Sequence, residues 1–339
     1  MHSSLLRKIS SAAILVWVAL SLAACGGFVT GDNRHNVPLS GAMHAALKGI
    51  GSAPGEAMLI RIFKQERQLE VWKRQTATGQ FQLLKTYEIC AYSGDIGPKF
   101  VEGDRQAPEG FYTITPGLMN PKSNYHLAFN TGFPNKYDRA HGRTGSNLMV
   151  HGDCSSSGCY AMTDEGISEI YALARETFKG GNPSFQLQIF PFRMTAQNIA
   201  ANYDNQHMSF WKNIKEGYDL FEINKAPPTW DVCQGQYVFN VTASGALDAL
   251  GPCPPIQRSA ALTARMQADD SKVADILAGR EKAEAERVAV AQRGEAINTA
   301  VTGFFGNIGS IFGGGKDADI VPVISGKPAP MPMPRLNRG

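Results

Sequence analysis

The segment His151-Gly152-Asp153-Cys154-Ser155-Ser156-Ser157-Gly158-Cys159-Tyr160 places an imidazole and a thiol on one short, glycine-bounded stretch, directly after the apolar run Leu148-Met149-Val150. Those residue types suit nucleophilic catalysis. A thiol is a poor nucleophile until it ionises, and a neighbouring imidazole can take its proton. Gly158 permits a tight bend just before Cys159. Amides around such a bend can face a developing oxyanion. Two other readings fit the same residues. His151, Asp153, Cys154 and Cys159, with His141 or His126, are all zinc-ligand types, although no CxxC or HExxH spacing is present. Alternatively, a buried histidine and two cysteines stabilise a turn.

The elements that must position these groups are strands first. Residues 58–63, 69–73, 81–87, 110–115, 147–151 and 185–192 carry β-branched, aromatic or alternating apolar residues. Gly94, Gly97-Pro98, Gly103 and Pro108 punctuate them. A helix follows the motif. Thr163 can cap it, Asp164 and Glu165 suit its positive end, and Gly180-Gly181 stop it. Ile167, Ile170, Tyr171, Ala174 and Phe178 form its apolar face, so it packs behind Cys159 and holds the loop. Residues 193–222 read as helical, with Phe210, Trp211, Ile214, Tyr218 and Phe221 as the stripe and Pro227-Pro228 as the stop. Residues 236–241 add a strand. Residues 259–300 are helix-prone but interrupted by Gly279 and Gly294, which predicts a loose arm. Residues 303–339 are Gly-rich, then Pro-rich, and read as a disordered tail. Gly313-Gly314-Gly315-Lys316 is not a phosphate loop, because Ser310 stands where its first glycine should be.

The ends and the charge restrict the setting. Arg7 and Lys8 precede an apolar run over 12–20, followed by Leu22-Ala23-Ala24-Cys25-Gly26. This is the pattern of a secretory signal, too short to span a bilayer. Leu-Ala-Ala-Cys looks like a bacterial lipobox, which implies lipid on Cys25 after cleavage. Gly26, in place of aspartate, favours the periplasmic face of the outer membrane. The formal charge is +3, and loss of residues 1–24 leaves 31 cations against 30 anions. A near-neutral balance gives no argument for nucleic acid. Of the six cysteines, five remain beyond Cys25 in an oxidising compartment, so pairing is expected and one thiol is left over. Cys233 and Cys253 are the preferred disulfide. The pairing of Cys90 and Cys154 stays open.

The segment around Ser157-Gly158-Cys159, with His151-Gly152 upstream, resembles the active-site motif of the L,D-transpeptidase catalytic domain family (YkuD-type). The likeness extends over about residues 57–255. It includes Tyr92-Ser93-Gly94, Gly97-Pro98-Lys99, Glu102-Gly103-Asp104, Ala107-Pro108-Glu109-Gly110-Phe111-Tyr112, Gly132-Phe133-Pro134-Asn135, Asp138-Arg139-Ala140-His141-Gly142 and Phe190-Pro191-Phe192-Arg193. The interval from histidine to cysteine is shorter than in the commonest members. Tyr160 or Ala161 stands where arginine usually follows. Both departures mark a divergent branch, which includes enzymes acting on the link between peptidoglycan and lipoprotein.

The resemblance implies a β-rich α+β fold: a mixed β-sandwich with a few packing helices. It implies Cys159 as nucleophile, His151 as proton donor and acceptor, and the backbone at Gly158 as oxyanion hole. The substrate would be the peptidoglycan stem peptide, attacked at meso-diaminopimelate to give a Cys159 thioester, with no metal and no organic cofactor. Arg139, His141, Tyr92 and Ser157 are candidates for substrate binding. An amine acceptor gives transpeptidation; water gives hydrolysis, including release of a wall-linked lipoprotein. A non-catalytic wall-binding lipoprotein is the rival of another class. The organisation expected is a signal peptide over 1–24, a lipidated tether over 25–56 and a catalytic domain over 57–193. An extension packed on that domain covers 194–258, and a helix-prone, then low-complexity tail covers 259–339.

Overall fold

The computed structural model describes residues 32–311, the last six by their backbone alone. The expected signal segment, Cys25 and the tail beyond 311 lie outside the described residues. The chain divides into two compact units, one running to Ile276 and one from Leu277.

The first unit is mixed α+β. Its first five-stranded sheet runs in the order β3 (Phe81–Glu88), β2 (Gln68–Arg74), β1 (Met58–Phe63), β10 (Phe185–Phe190), β5 (Gly110–Ile114). β1 and β10 are parallel, and the other pairs antiparallel. β1 reads Met-Leu-Ile-Arg-Ile-Phe and every residue is buried. Alternation sends its side chains to two different faces. Ile60 and Ile62 enter the main core, each contributing about 1.5–3 kcal/mol by burial. Leu59, on the other face, packs with Phe221. Arg61, also there, is buried among Phe63, Phe190, Tyr218 and Phe221 and forms an ion pair with Glu222 at 2.5 Å.

The second five-stranded sheet runs β4 (Ala91–Tyr92), β9 (Tyr160–Ala161), β8 (Met149–His151), β7 (Ala128–Asn130), β6 (Met119–Asn120). Its Phe129, Val150 and Tyr160 join the same core as Ile60 and Ile62. A separate hairpin pairs β11 (Trp230–Cys233) with β12 (Gln236–Phe239).

Helix α1 (Gly41–Gly49) is capped by Ser40, whose Oγ accepts from the Met43 amide at 3.1 Å. Leu39, Met43 and Leu47 lie in the core. The stretch expected as a tether is therefore part of the packed body from Leu39 onward. After α2 (Lys136–Ala140) comes α3 (Asp164–Lys179), whose Gly166 amide donates to Thr163 Oγ1 at 3.0 Å. Ile167, Ile170, Tyr171 and Ala174 of α3 are buried in the core, and Phe178 packs against it.

The helix expected over 193–222 is broken in two, α4 (Ala196–Ala201) and α5 (Met208–Asn224). Asn205 interrupts it: its Oδ1 accepts from the His207 amide at 2.9 Å and its carbonyl from the Met208 amide at 3.0 Å. Short polar side chains compete with the helical ladder in this way. The predicted stripe of Phe210, Trp211, Ile214, Tyr218 and Phe221 is buried.

The arm departs further from expectation. Gly279 and Gly294 do not interrupt it, and α6 (Ala260–Ile311) is one 52-residue helix. Each glycine costs about 1 kcal/mol relative to alanine, which the surrounding Ala, Glu and Arg offset. Within the first unit, Leu262 and Val273 of α6 are buried. Asp269 there is bridged by Lys215 at 2.7 Å and Arg265 at 2.8 Å. No described helix is long and apolar enough to cross a membrane.

Candidate active site

β8 and β9 lie side by side and parallel, with Val150 opposite Tyr160 and His151 opposite Ala161. Val150 and Tyr160 point into the core. By alternation, Met149, His151, Cys159 and Ala161 share the other face. Continuing the register brings Cys159 level with Met149, diagonally across from His151. Imidazole and thiol therefore stand on one face, His151 in β8 and Cys159 in the residue just before β9.

The chain makes this return in only eight residues, 152–159, where parallel neighbours usually need a dozen or more. Several groups hold the tight loop. Asp153 and Cys154 adopt left-handed φ of 68° and 38°. The Asp153 amide donates to Asp164 Oδ1 at 2.9 Å, at the start of α3. The Met162 amide donates to the His151 carbonyl at 2.7 Å. Cys154 is joined to Cys90 by a disulfide. Gly152 admits no side chain, since a Cβ there would lie 2.4 Å from Asp164 Oδ1 and 2.9 Å from His126 Cβ. Gly158 takes φ of 130°, a conformation that favours glycine.

Cys159 is the free cysteine among the described residues. Its thiol is half-buried. Sγ accepts from the Met149 amide at 3.3 Å, and the S–H donates to the Asn147 carbonyl at 3.6 Å. Burial pushes the thiol pKa up, while the Met149 amide and the Lys99 ammonium oppose that shift by favouring the thiolate.

His151 is 4% exposed. Its Nδ1 lies 2.6 Å from the Gly152 carbonyl. A carbonyl only accepts, so Nδ1 carries the hydrogen and Nε2 is the unprotonated base. Burial pushes the His151 pKa down, with the Gly152 hydrogen bond and Asp153 opposing. The Tyr125 ring covers the imidazole at 4.9 Å between centroids. The pair therefore rests as neutral thiol and neutral imidazole. Among the described residues no hydrogen bond joins them. The S–H is given to the Asn147 carbonyl instead, so its proton must be redirected to reach Nε2. Catalytic contacts commonly tighten only when substrate is bound.

The amides flanking the bend are already engaged. Ser156 Oγ accepts from the Gly158 amide at 3.4 Å and the Cys159 amide at 3.1 Å, and it donates to the Cys159 carbonyl at 2.7 Å. Ser93 Oγ lies 3.3 Å from it. Ser156, rather than the exposed Ser157, closes the loop on itself.

The remaining candidates sit elsewhere. Tyr92 pairs with Tyr160 on the core side of the sheet, the face opposite the thiol, and packs on the Tyr160 ring at 6.2 Å. Arg139 is exposed and donates to the Pro134 carbonyl. His141 stacks on Tyr137 at 4.2 Å and bonds its carbonyl through Nδ1 at 3.0 Å. Neither Arg139 nor His141 contacts Cys159 or His151. The arginine buried in this segment is Arg143, paired with Asp138 at 2.9 Å and stacked over Phe100, Tyr137 and Phe210. Cys233 and Cys253 form the second disulfide.

Two residues to which the sequence assigned no role bear on the thiol or its base. Lys99, buried and paired with Asp104 at 2.5 Å, supplies a positive field at Cys159. Tyr125 covers His151. The zinc reading loses Cys154 to the disulfide, and among the described residues no group of three His, Cys, Asp or Glu converges on a metal position.

Residues 57–180 match the family model described as the L,D-transpeptidase catalytic domain. The chain is 42% identical over 227 residues, 66% of this chain and 89% of the relative, to YafK of Escherichia coli (strain K12), whose name assigns it provisionally to the L,D-transpeptidases. Among solved structures, it is similar to the helical cell shape determining protein Pgp2 of Campylobacter jejuni. That match has 17% identity and a TM-score of 0.32, covering 56% of this chain and 79% of that one. It is also similar to Bd1075 of Bdellovibrio bacteriovorus, at 24% identity and a TM-score of 0.29, covering 42% of this chain. The chain spans about half of the length of Bd1075, 51%. Identity at the level shared with YafK, over most of that relative's length, settles the assignment: the chain belongs to the L,D-transpeptidase catalytic domain family.

Proposed function

We propose that this chain is a cysteine acyltransferase of peptidoglycan, held by lipid on Cys25 at the periplasmic face of the outer membrane. One observation carries the chemistry. In a unit whose other four described cysteines are all bridged, a half-buried free thiol shares a sheet face with a buried neutral histidine whose Nδ1 is already committed.

The steps follow from those atoms. Cys159 gives its proton to His151 Nε2, and the sulfur attacks the carbonyl of meso-diaminopimelate in a stem peptide. The oxyanion is received by the Gly158 and Cys159 amides once Ser156 turns away. The C–N bond breaks, and the departing amine takes the proton from His151. A thioester remains on Cys159. An acceptor amine then attacks the thioester, its proton passing through His151 to the leaving sulfur. Lys99 favours the thiolate during both steps, partly offsetting the burial that raises its pKa. Release of a peptidoglycan-linked lipoprotein would use the same thioester with water as acceptor.

The test is the intact mass of residues 26–339, with disulfides formed, after incubation with peptidoglycan, alongside analysis of soluble muropeptides. The expected result is a stem-peptide adduct and new muropeptides, both lost in Cys159→Ala. Product masses with and without an added amine separate transfer from hydrolysis. A folded, reduced Cys159 that gives neither adduct nor products overturns the proposal in favour of a wall-binding role.

A further inference from the structure

The second unit carries an apolar face that the acyl-transfer chemistry does not use. In α6, Ile297, Val301, Phe304 and Phe305 are 65%, 46%, 64% and 65% exposed. Ile308 and Ile311 continue the same spacing to the end of the helix. At 3.6 residues per turn these six positions fall within an arc of about 120°. The opposite side holds Thr299, Thr302, Gly303, Gly306 and Ser310. From Ala296 to Gly315 there is no ionisable side chain; Glu295 and Lys316 flank the stretch, and Arg293 stands two residues before Glu295.

We propose that residues 296–311 are a membrane-surface helix that lays this face into the headgroup boundary of a lipid bilayer. Three observations favour lipid over a second copy of the helix. Partner helices fix register and pairing with charges flanking the seam, and this stretch has none. Adjacent Phe304 and Phe305, with ring centroids 5.8 Å apart, spread the face wider than a two-position seam; a flat surface can cover both. The polar side is small and neutral, which lets the helix sink to its apolar boundary without drawing charge into the headgroups. Arg293, one turn before Ile297 on the same side, can extend its guanidinium to phosphate while its stem lies along the apolar face. The stretch lies on the membrane rather than through it, since it is shorter than the roughly 20 predominantly apolar residues a span requires. Because the attraction comes from buried apolar area, neutral lipid suffices and salt has little effect.

The experiment uses residues 26–339, made without the signal segment and therefore without lipid on Cys25. The protein is sedimented with phosphatidylcholine vesicles at low and high salt. The expected result is co-sedimentation that high salt leaves within two-fold. Phe304→Ser/Phe305→Ser should weaken it at least ten-fold, and Thr302→Ser, on the polar side, should leave it unchanged. Alkylation of Cys159 at the wild-type rate shows that the first unit of each variant is folded. Protein that stays in the supernatant at every lipid concentration overturns the proposal. So does binding that survives the double substitution. Self-association by light scattering, lost in the double variant without any vesicle binding, assigns the face to a second copy and also overturns it.

Discussion

The two disulfides differ chiefly in the length of chain they close, which makes their contributions calculable. Cys90 and Cys154 are 64 residues apart, and Cys233 and Cys253 are 20 apart. In the chain-entropy treatment, the first restrains the unfolded state by about 4 kcal/mol and the second by about 3 kcal/mol. Against a usual total of about 5–15 kcal/mol for a folded domain, either is a large share. The closed segments do not overlap, so the two losses should add. The perturbation is Cys90→Ala/Cys154→Ala, compared with Cys233→Ala/Cys253→Ala. Both are placed in a Cys159→Ala background so that no thiol can re-pair. Urea unfolding is followed by the fluorescence of Trp72, Trp211 and Trp230. The variant lacking the longer closure should lose about 1 kcal/mol more than the other, and both should show a larger m-value because the unfolded chain is less restrained. A loss under about 1 kcal/mol for the first pair, or a larger loss for the second, would refute the reasoning.

Burial lowers the His151 pKa below its ordinary value. The unfolded chain therefore binds a proton that the folded one resists, and stability should fall as pH drops through about 6.5. His151→Asn should flatten that slope in unfolding curves measured from pH 7.5 to 5.5. Gly158→Ala forces a side chain to φ of 130° and should cost about 1–3 kcal/mol. Because the bend presents the Cys159 amide, kcat should fall with it, as read by turnover on purified muropeptides. Asp138→Asn leaves the buried Arg143 without its ion-pair partner. A loss of about 3–5 kcal/mol is expected, measured as a shift of the urea midpoint.

The long strands were legible because their pattern is long enough to repeat. Residues 58–63 coincide with β1, and 110–115 overrun β5 by one residue. β4, β6 and β9 are two residues each, and a pattern of period two has no content at that length. They exist because of their neighbours, β4 and β6 as the edges of the second sheet and β9 between β4 and β8, which is tertiary information. The helix after the motif was readable from Thr163, a residue type that caps. The break at Asn205 was not, since asparagine is tolerated inside helices as well as outside them. At the site, His151 and Cys159 could be named because few residue types do their chemistry. Ser156 and Ser157 are chemically identical, and only the curl of the loop decides which hydroxyl reaches the amides. Lys99 reads in sequence as an ordinary loop cation. Its effect on the thiol depends on burial that no local pattern records.

The hydroxyl of Ser156, seated on the amides of Gly158 and Cys159, separates two kinds of inhibitor. An alkylating agent reacts at sulfur without developing negative charge on oxygen, so it meets only the ionisation of the thiol. An acylating agent builds an oxyanion that must displace the serine before it is stabilised. The ratio of the two inactivation rates therefore measures how far that displacement has gone. A compound that carries its own group to replace the Ser156 hydroxyl would gain selectivity for this loop over other thiols.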